Sequence, residues 1–195
     1  MRPDVALVLL AAGRASRFGG GKLLAPLDGK PLVEWAMEAT DAAGFAHKIV
    51  VCRSDDAIKE REGWTRVDNA DADHGLSSSI RCGVAAAEDA SRILITLADM
   101  PFVDPEHLRR LSNDSGVEFT AYPDGRRGCP AAFPPSAYPA LMALDGDRGA
   151  ASLDLPGARL ISPSDPATLR DIDTPRDLAA ASQTFARETI PAADR

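Results

Sequence analysis

Three short apolar runs constrain this chain more than any other feature. They are "VALVLLA" (5–11), "HKIVVC" (47–52) and "RILITLA" (92–98), each dominated by Val, Leu, Ile and Ala. A strand with one wet face alternates apolar and polar residues. A nearly continuous apolar run instead marks a strand covered on both faces, as in parallel sheets packed between helices. Helix-like segments separate the runs. "PLVEWAMEAT" (31–40) starts with proline at a favourable first helical position, and "DDAIKEREG" (55–63) reads as a short polar helix closed by Gly63. "SSSIRCGVAAAEDA" (77–90) offers serines as N-caps, and "DMPFVDPEHLRRL" (99–111) reads as a turn and then a helix. Short strands are expected at "VEFTAY" (117–122), "CPAAF" (129–133) and "ARLIS" (158–162). A helix around "SAYPALMAL" (136–144) is expected to be interrupted or kinked at Pro139, and "DIDTPRDLAAASQTFA" (171–186) supplies the last helix. Strands alternating with helices predict an α/β fold: three layers around a mostly parallel sheet, in a single domain over 1–187 with a flexible tail at 188–195.

The first run also has the look of a secretory signal core, with Arg2 as its charge. It is at the short end for that role and is followed by no mature-domain break, so a buried first strand is expected. No apolar run approaches the roughly 20 residues that cross a bilayer. The formal charge of −7 argues against a general nucleic-acid binder, since phosphate backbones recruit basic surfaces. Cys52, Cys82 and Cys129 form no CxxC pair, which implies reduced thiols and a cytoplasmic setting.

Ligands of open α/β sheets sit beyond the carboxyl ends of the strands. There the first run leads into "LLAAGRASRFGGGKLLAPLDGKPL" (9–32). The stretch fits neither common phosphate-binding fingerprint. Counting back from Gly21-Lys22, a P-loop would need glycine at Ser16 and a hydroxyl at Leu23; a dinucleotide loop would need glycine at Leu24. What remains is L-A-A-G-x-x-x-R-x-G-x-x-K-x-L. Its glycines let backbone N–H groups approach phosphates, and Arg17 and Lys22 add fixed positive charge. Arg14 stands in the same loop; a solvated loop is the bland reading of all three.

These residues resemble the nucleotidyltransferases that make pterin dinucleotides of the molybdenum cofactor, most nearly their cytidylyltransferase branch. "GLSSSIRCGV" (75–84), "LADMPFVDPEHL" (97–108), "GDRGA" (146–150) and "DIDTPRDL" (171–178) extend the resemblance over residues 7 to about 180. It implies a Rossmann-like nucleotidyltransferase fold and transfer of CMP from CTP to the terminal phosphate of molybdopterin, releasing pyrophosphate. It further implies Mg²⁺ on Asp99 and Asp173, and nucleotide contacts from Leu10, Ala11, Ala12, Gly13, Arg17, Lys22, Gly75, Ser77 and Ser78. Asp99, Arg17 and Lys22 carry the catalytic roles; Pro130 and Gly149 fall in the pterin-side segments. A client molybdoenzyme or its chaperone is the further partner implied.

Ala98 replaces the family's usual glycine before the metal-binding aspartate, a small change that leaves the carboxylate in place. Ala151 replaces a common arginine after "GDRGA", which bears on the acceptor. Ala12 and Gly21 stand where guanylyl-transferring relatives carry glycine and aspartate, which favours CTP. The rivals are guanylyl transfer to the same pterin, nucleotidyl transfer to another phosphorylated small molecule, and a non-catalytic nucleotide or pterin chaperone. His47, His74 and His107 sit in no catalytic pattern, and an anionic phosphate nucleophile needs no general base.

Overall fold

The computed structural model describes residues 2–189, with side chains over 5–183. The strands are β1 (Arg2–Leu10), β2 (Pro26–Leu27), β3 (Lys30–Pro31), β4 (Phe45–Arg53), β5 (Thr65–Asn69), β6 (Arg92–Leu97), β7 (Glu118–Ala121), β8 (Arg127–Phe133) and β9 (Arg159–Ile161). The helices are α1 (Leu32–Ala43), α2 (Leu76–Ala86), α3 (Pro105–Leu111), α4 (Tyr138–Met142) and α5 (Pro175–Thr189). Seven strands form one sheet in the order β5-β4-β1-β6-β8-β7-β9; β2 and β3 make a separate hairpin. β8 runs antiparallel to both its neighbours, and the other pairings in the sheet are parallel.

The uninterrupted first run is explained by burial on both sides. Val5, Leu7 and Leu9 pack with Val33 and Met37 of α1 and Leu108 and Leu111 of α3. Ala6, Val8 and Leu10 pack on the other face with Ile80 and Val84 of α2 and Leu141 of α4. Each fully buried leucine contributes about 2 kcal/mol of transfer free energy. A third cluster, Leu27, Leu32, Ile172 and Ala181, ties the hairpin and α5 to the body beside the first loop.

Four local expectations need correction. Residues 55–63 form no helix. The Asp56 carboxylate instead accepts the backbone N–H groups of Arg53 (2.9 Å) and Ile58 (3.0 Å), a local bond that competes with the helical ladder. Arg61 is drawn away to Asp41 at 2.7 Å. The serines do not cap α2, which starts at Leu76 behind Gly75. Pro31 lies just ahead of α1, in β3. Pro139 opens α4 and does not break it, because its missing N–H costs nothing in a first turn. Of the tail expected over 188–195, Glu188 and Thr189 continue α5 and residues 190–195 lie outside the described residues.

Candidate active site

The parallel strands deliver their following loops to one edge of the sheet. The loop after β1 holds short 3-10 turns at Ser16–Phe18 and Lys22–Leu24. Between them Gly19, Gly20 and Gly21 take φ values of +87°, +97° and +63°, a left-handed path that side-chain-bearing residues adopt only with strain. This path turns Lys22 inward. Its ammonium lies 2.6 Å from Asp99 Oδ2 and 3.2 Å from Asp173 Oδ1, and the side chain is only 10% exposed. Arg17 reaches Asp173 Oδ2 at 3.1 Å from a far more exposed position.

The two aspartates are held together by the backbone. The Ile172 N–H donates to the Asp99 carbonyl at 2.9 Å. The Asp177 carboxylate accepts the N–H groups of Asp173 (3.2 Å) and Thr174 (2.8 Å), which fixes the entry to α5. Burial alone would lower the Lys22 pKa, but Asp99 and Asp173 outweigh it and raise the net value. Burial, with Asp173 and Asp99 close by, pushes the Asp171 carboxyl up.

The donor set fits a hard cation. Asp99 Oδ1 is buried with no hydrogen-bond partner, an oxygen waiting for a positive ligand. Among the described residues no group of three or more His, Cys, Asp or Glu could close a protein-only metal cage. One or two carboxylates completed by phosphate oxygens and water are the usual Mg²⁺ arrangement.

A cleft of about 510 Å³ opens beside this cluster. Leu10, Ala11, Ala12, Gly13, Lys22, Gly75 and Asp99 line it, so these sequence-predicted residues are brought to one space. Ser77 and Ser78 are buried behind it. The Ser78 hydroxyl donates to the Gly75 carbonyl (2.8 Å) and accepts from Asn69 (2.9 Å); the Ser77 hydroxyl accepts from Arg81 (3.3 Å). Of the three α2 serines, Ser79 is the one on the wall. Arg17 is turned onto Asp173 and does not line the cleft. Arg14 does, bonded to Asp73 at 2.8 Å, while Arg53 meets the same carboxylate at 2.9 Å. These two guanidinium groups hold the Asp73 carboxyl down at about 2.

Pro130 and Gly149 do not line this cleft. The Pro130 carbonyl accepts from Thr120 Oγ1 at 2.6 Å, and Thr120 Oγ1 lies 2.8 Å from His107 Nε2. Gly149 packs against Leu76, where a Cβ would come 3.1 Å from Leu76 Cδ2. Arg14, Asp73, Ser79 and Asp147 line the cleft without a role assigned from sequence. Three of them left a signal: Arg14 in the glycine-rich loop, Ser79 among the serines at the start of α2, and Asp147 in "GDRGA".

The MobA-like NTP transferase domain family matches residues 7–159. The chain belongs to this family: it is a nucleotidyltransferase. It is 30% identical over 188 residues to the purine catabolism protein PucB of Bacillus subtilis, covering 87% of this chain and 92% of that one. A molybdenum cofactor guanylyltransferase of Xanthomonas euvesicatoria is 29% identical over 117 residues, 60% of this chain and 58% of that protein. Rv0371c of Mycobacterium tuberculosis superposes with a TM-score of 0.80 at 26% identity, over 94% of this chain and all of that one. Such coverage matches a single nucleotidyltransferase domain. No helix among the described residues is long and apolar enough to cross a membrane.

Proposed function

We propose that this family member transfers CMP from CTP to the terminal phosphate of molybdopterin, forming the cytosine dinucleotide and pyrophosphate in the cytoplasm. The observation that carries the reading is the meeting of Lys22, Asp99 and Asp173 beside a glycine-rich loop at the cleft. In the reaction an oxygen of the pterin phosphate attacks the α-phosphorus of CTP. The bond from that phosphorus to the bridging oxygen breaks, and the electron pair leaves with pyrophosphate. The nucleophile is already anionic, so no side chain need take a proton.

Mg²⁺, held by Asp99 and Asp173, would neutralise phosphate charge and hold the α-phosphate. The chain's own residues do the rest. The backbone N–H groups of Gly13 and Gly21 donate to the triphosphate, while those of Gly19 and Gly20 brace the loop on the Ser16 and Ala15 carbonyls. Lys22 leaves its carboxylates for phosphate oxygens, and Arg17 adds charge where pyrophosphate develops. Arg14, released from Asp73, is a third positive group within reach of the same cleft. Positioning and electrostatic stabilisation are what such a transfer needs.

CTP is favoured over GTP because the Ala12 methyl narrows the cleft wall and Gly21 offers no carboxylate beside Lys22. Gly75, Leu76 and Ser79 supply a compact pocket for a pyrimidine, and Ser77 and Ser78 support it from behind by bonding to the Gly146 and Gly75 carbonyls. The guanylyl reading is supported by the Xanthomonas relative. Pro130 and Gly149 are assigned to the acceptor side, and a molybdoenzyme or its chaperone would receive the product. The experiment is pyrophosphate release with Mg²⁺, molybdopterin and each NTP in turn. Release that needs both molybdopterin and CTP supports the reading; release with CTP but only with another acceptor would replace it.

A further inference from the structure

Asp147 lies in the turn after α4, in a segment that the sequence associates with the acceptor. Its surroundings associate it with the nucleotide. The Ser77 N–H donates to the Gly146 carbonyl at 3.1 Å, which pins this turn to the start of α2. Gly75 has φ +90°, and a Cβ there would come within 2.4 Å of Asp147 Oδ1 and 2.6 Å of the Gly146 carbonyl. The carboxylate therefore rests on the one residue whose missing side chain lets it in. It lines the same cleft as Ala12, Gly75 and Ser79, yet makes no hydrogen bond among the described residues.

Leu10, Ala12, Leu76 and Leu97 give the cleft an apolar wall that suits the flat face of a base. A carboxylate in that cleft, resting on Gly75, is an acceptor only. It can satisfy an exocyclic amino group and repels a carbonyl oxygen in the same place.

We infer that Asp147 is a specificity residue that accepts a hydrogen bond from the exocyclic amino group of the bound nucleobase. The inference rests on nucleotide binding in this cleft, as proposed above. It sets cytosine, with an amino group at C4, apart from uracil, with a carbonyl there. It also gives the turn at 146–147 a recognition role separate from the acceptor.

Equilibrium binding of CTP, UTP, GTP and ITP to the wild type and to Asp147→Asn tests it without any acceptor. Asp147 is exposed, so the variant is expected to fold, and a thermal melt checks this. The wild type should bind CTP at least about tenfold more tightly than UTP, as a well-made contact to a base edge provides. In Asp147→Asn that ratio should fall toward one, because an amide can donate as well as accept. An unchanged ratio overturns the inference. So does a uniform loss for all four nucleotides, which would make Asp147 merely a charge near Arg14. If the wild type prefers GTP, the cytidylyl reading falls, and Asp147 is judged by GTP against ITP, which lacks the C2 amino group. Absence of binding by all four overturns both.

Discussion

Lys22 Nζ bridges Asp99 Oδ2 at 2.6 Å and Asp173 Oδ1 at 3.2 Å, across sequence separations of 77 and 151 residues. In this arrangement the lysine supplies the positive charge that a metal ion held by the same two carboxylates would bring. Asp99 and Asp173 outweigh its burial and raise its pKa, so the ammonium is available as a cation for phosphate once the carboxylates find another partner.

Asp99→Asn keeps the shape of the side chain and removes its charge. Turnover should be abolished, and the loss of one charged partner for a buried lysine should lower stability by a few kcal/mol at most. Steady-state assay and denaturant unfolding measure the two. More than about a tenth of the wild-type rate, a barrier change of only ~1.4 kcal/mol, would remove Asp99 from the metal role.

Lys22→Ala should weaken CTP binding much more than CMP binding, since only CTP carries the β- and γ-phosphates. Calorimetric titration of both nucleotides reads this. Equal losses would put Lys22 elsewhere on the nucleotide, and no loss would leave it a structural partner of Asp99 and Asp173.

Base choice is tested by competition of CTP against GTP at equal concentration, followed by Ala12→Gly combined with Gly21→Asp. The wild type should favour CTP by roughly 10–200-fold, the range of a single steric or polar difference. The double change should move the preference toward GTP. A preference that survives it would place base reading in Gly75–Ser79 and Asp147.

His107 offers a pH test remote from the chemistry. Burial, reinforced by Arg110 and opposed by Asp104, lowers its pKa from 6.5 to about 4, and its ring meets Thr120 of β7. The unfolded chain then binds a proton that the folded protein refuses. The neutral ring's stability is complete above pH ~6.5 and is lost as pH falls toward 4, by about 3 kcal/mol at most. Urea unfolding at pH 7 and pH 5 should show a steeper acid loss in the wild type than in His107→Gln. Identical losses would contradict the burial argument.

Much of the fold was legible because burial on both faces of β1 leaves a direct mark: consecutive residues from Val5 to Leu10 are all apolar. β5 left no such mark. Its sequence "TRVDN" sits at the sheet edge, where Arg66 pairs with Asp56 and Asp68 in place of apolar packing. At the site, the loop was visible, as was the meeting of Asp99 and Asp173 on one metal that the resemblance implies. Their pairing with Lys22 was not, and neither was Arg14 on Asp73, 59 residues away, because local sequence does not encode an ion pair's distant partner. Gly75 was legible as a special glycine. The reason it must be glycine, the approach of Gly146 and Asp147, comes only from the folded chain.

The most direct measurement is the mass of the product formed from molybdopterin and an equimolar mixture of the four NTPs with Mg²⁺. The account predicts molybdopterin cytosine dinucleotide with equimolar pyrophosphate from the wild type, and neither from Asp99→Asn. A guanine dinucleotide would contradict the cytidylyl assignment, and an unmodified pterin from an enzyme that binds CTP would contradict the proposed acceptor.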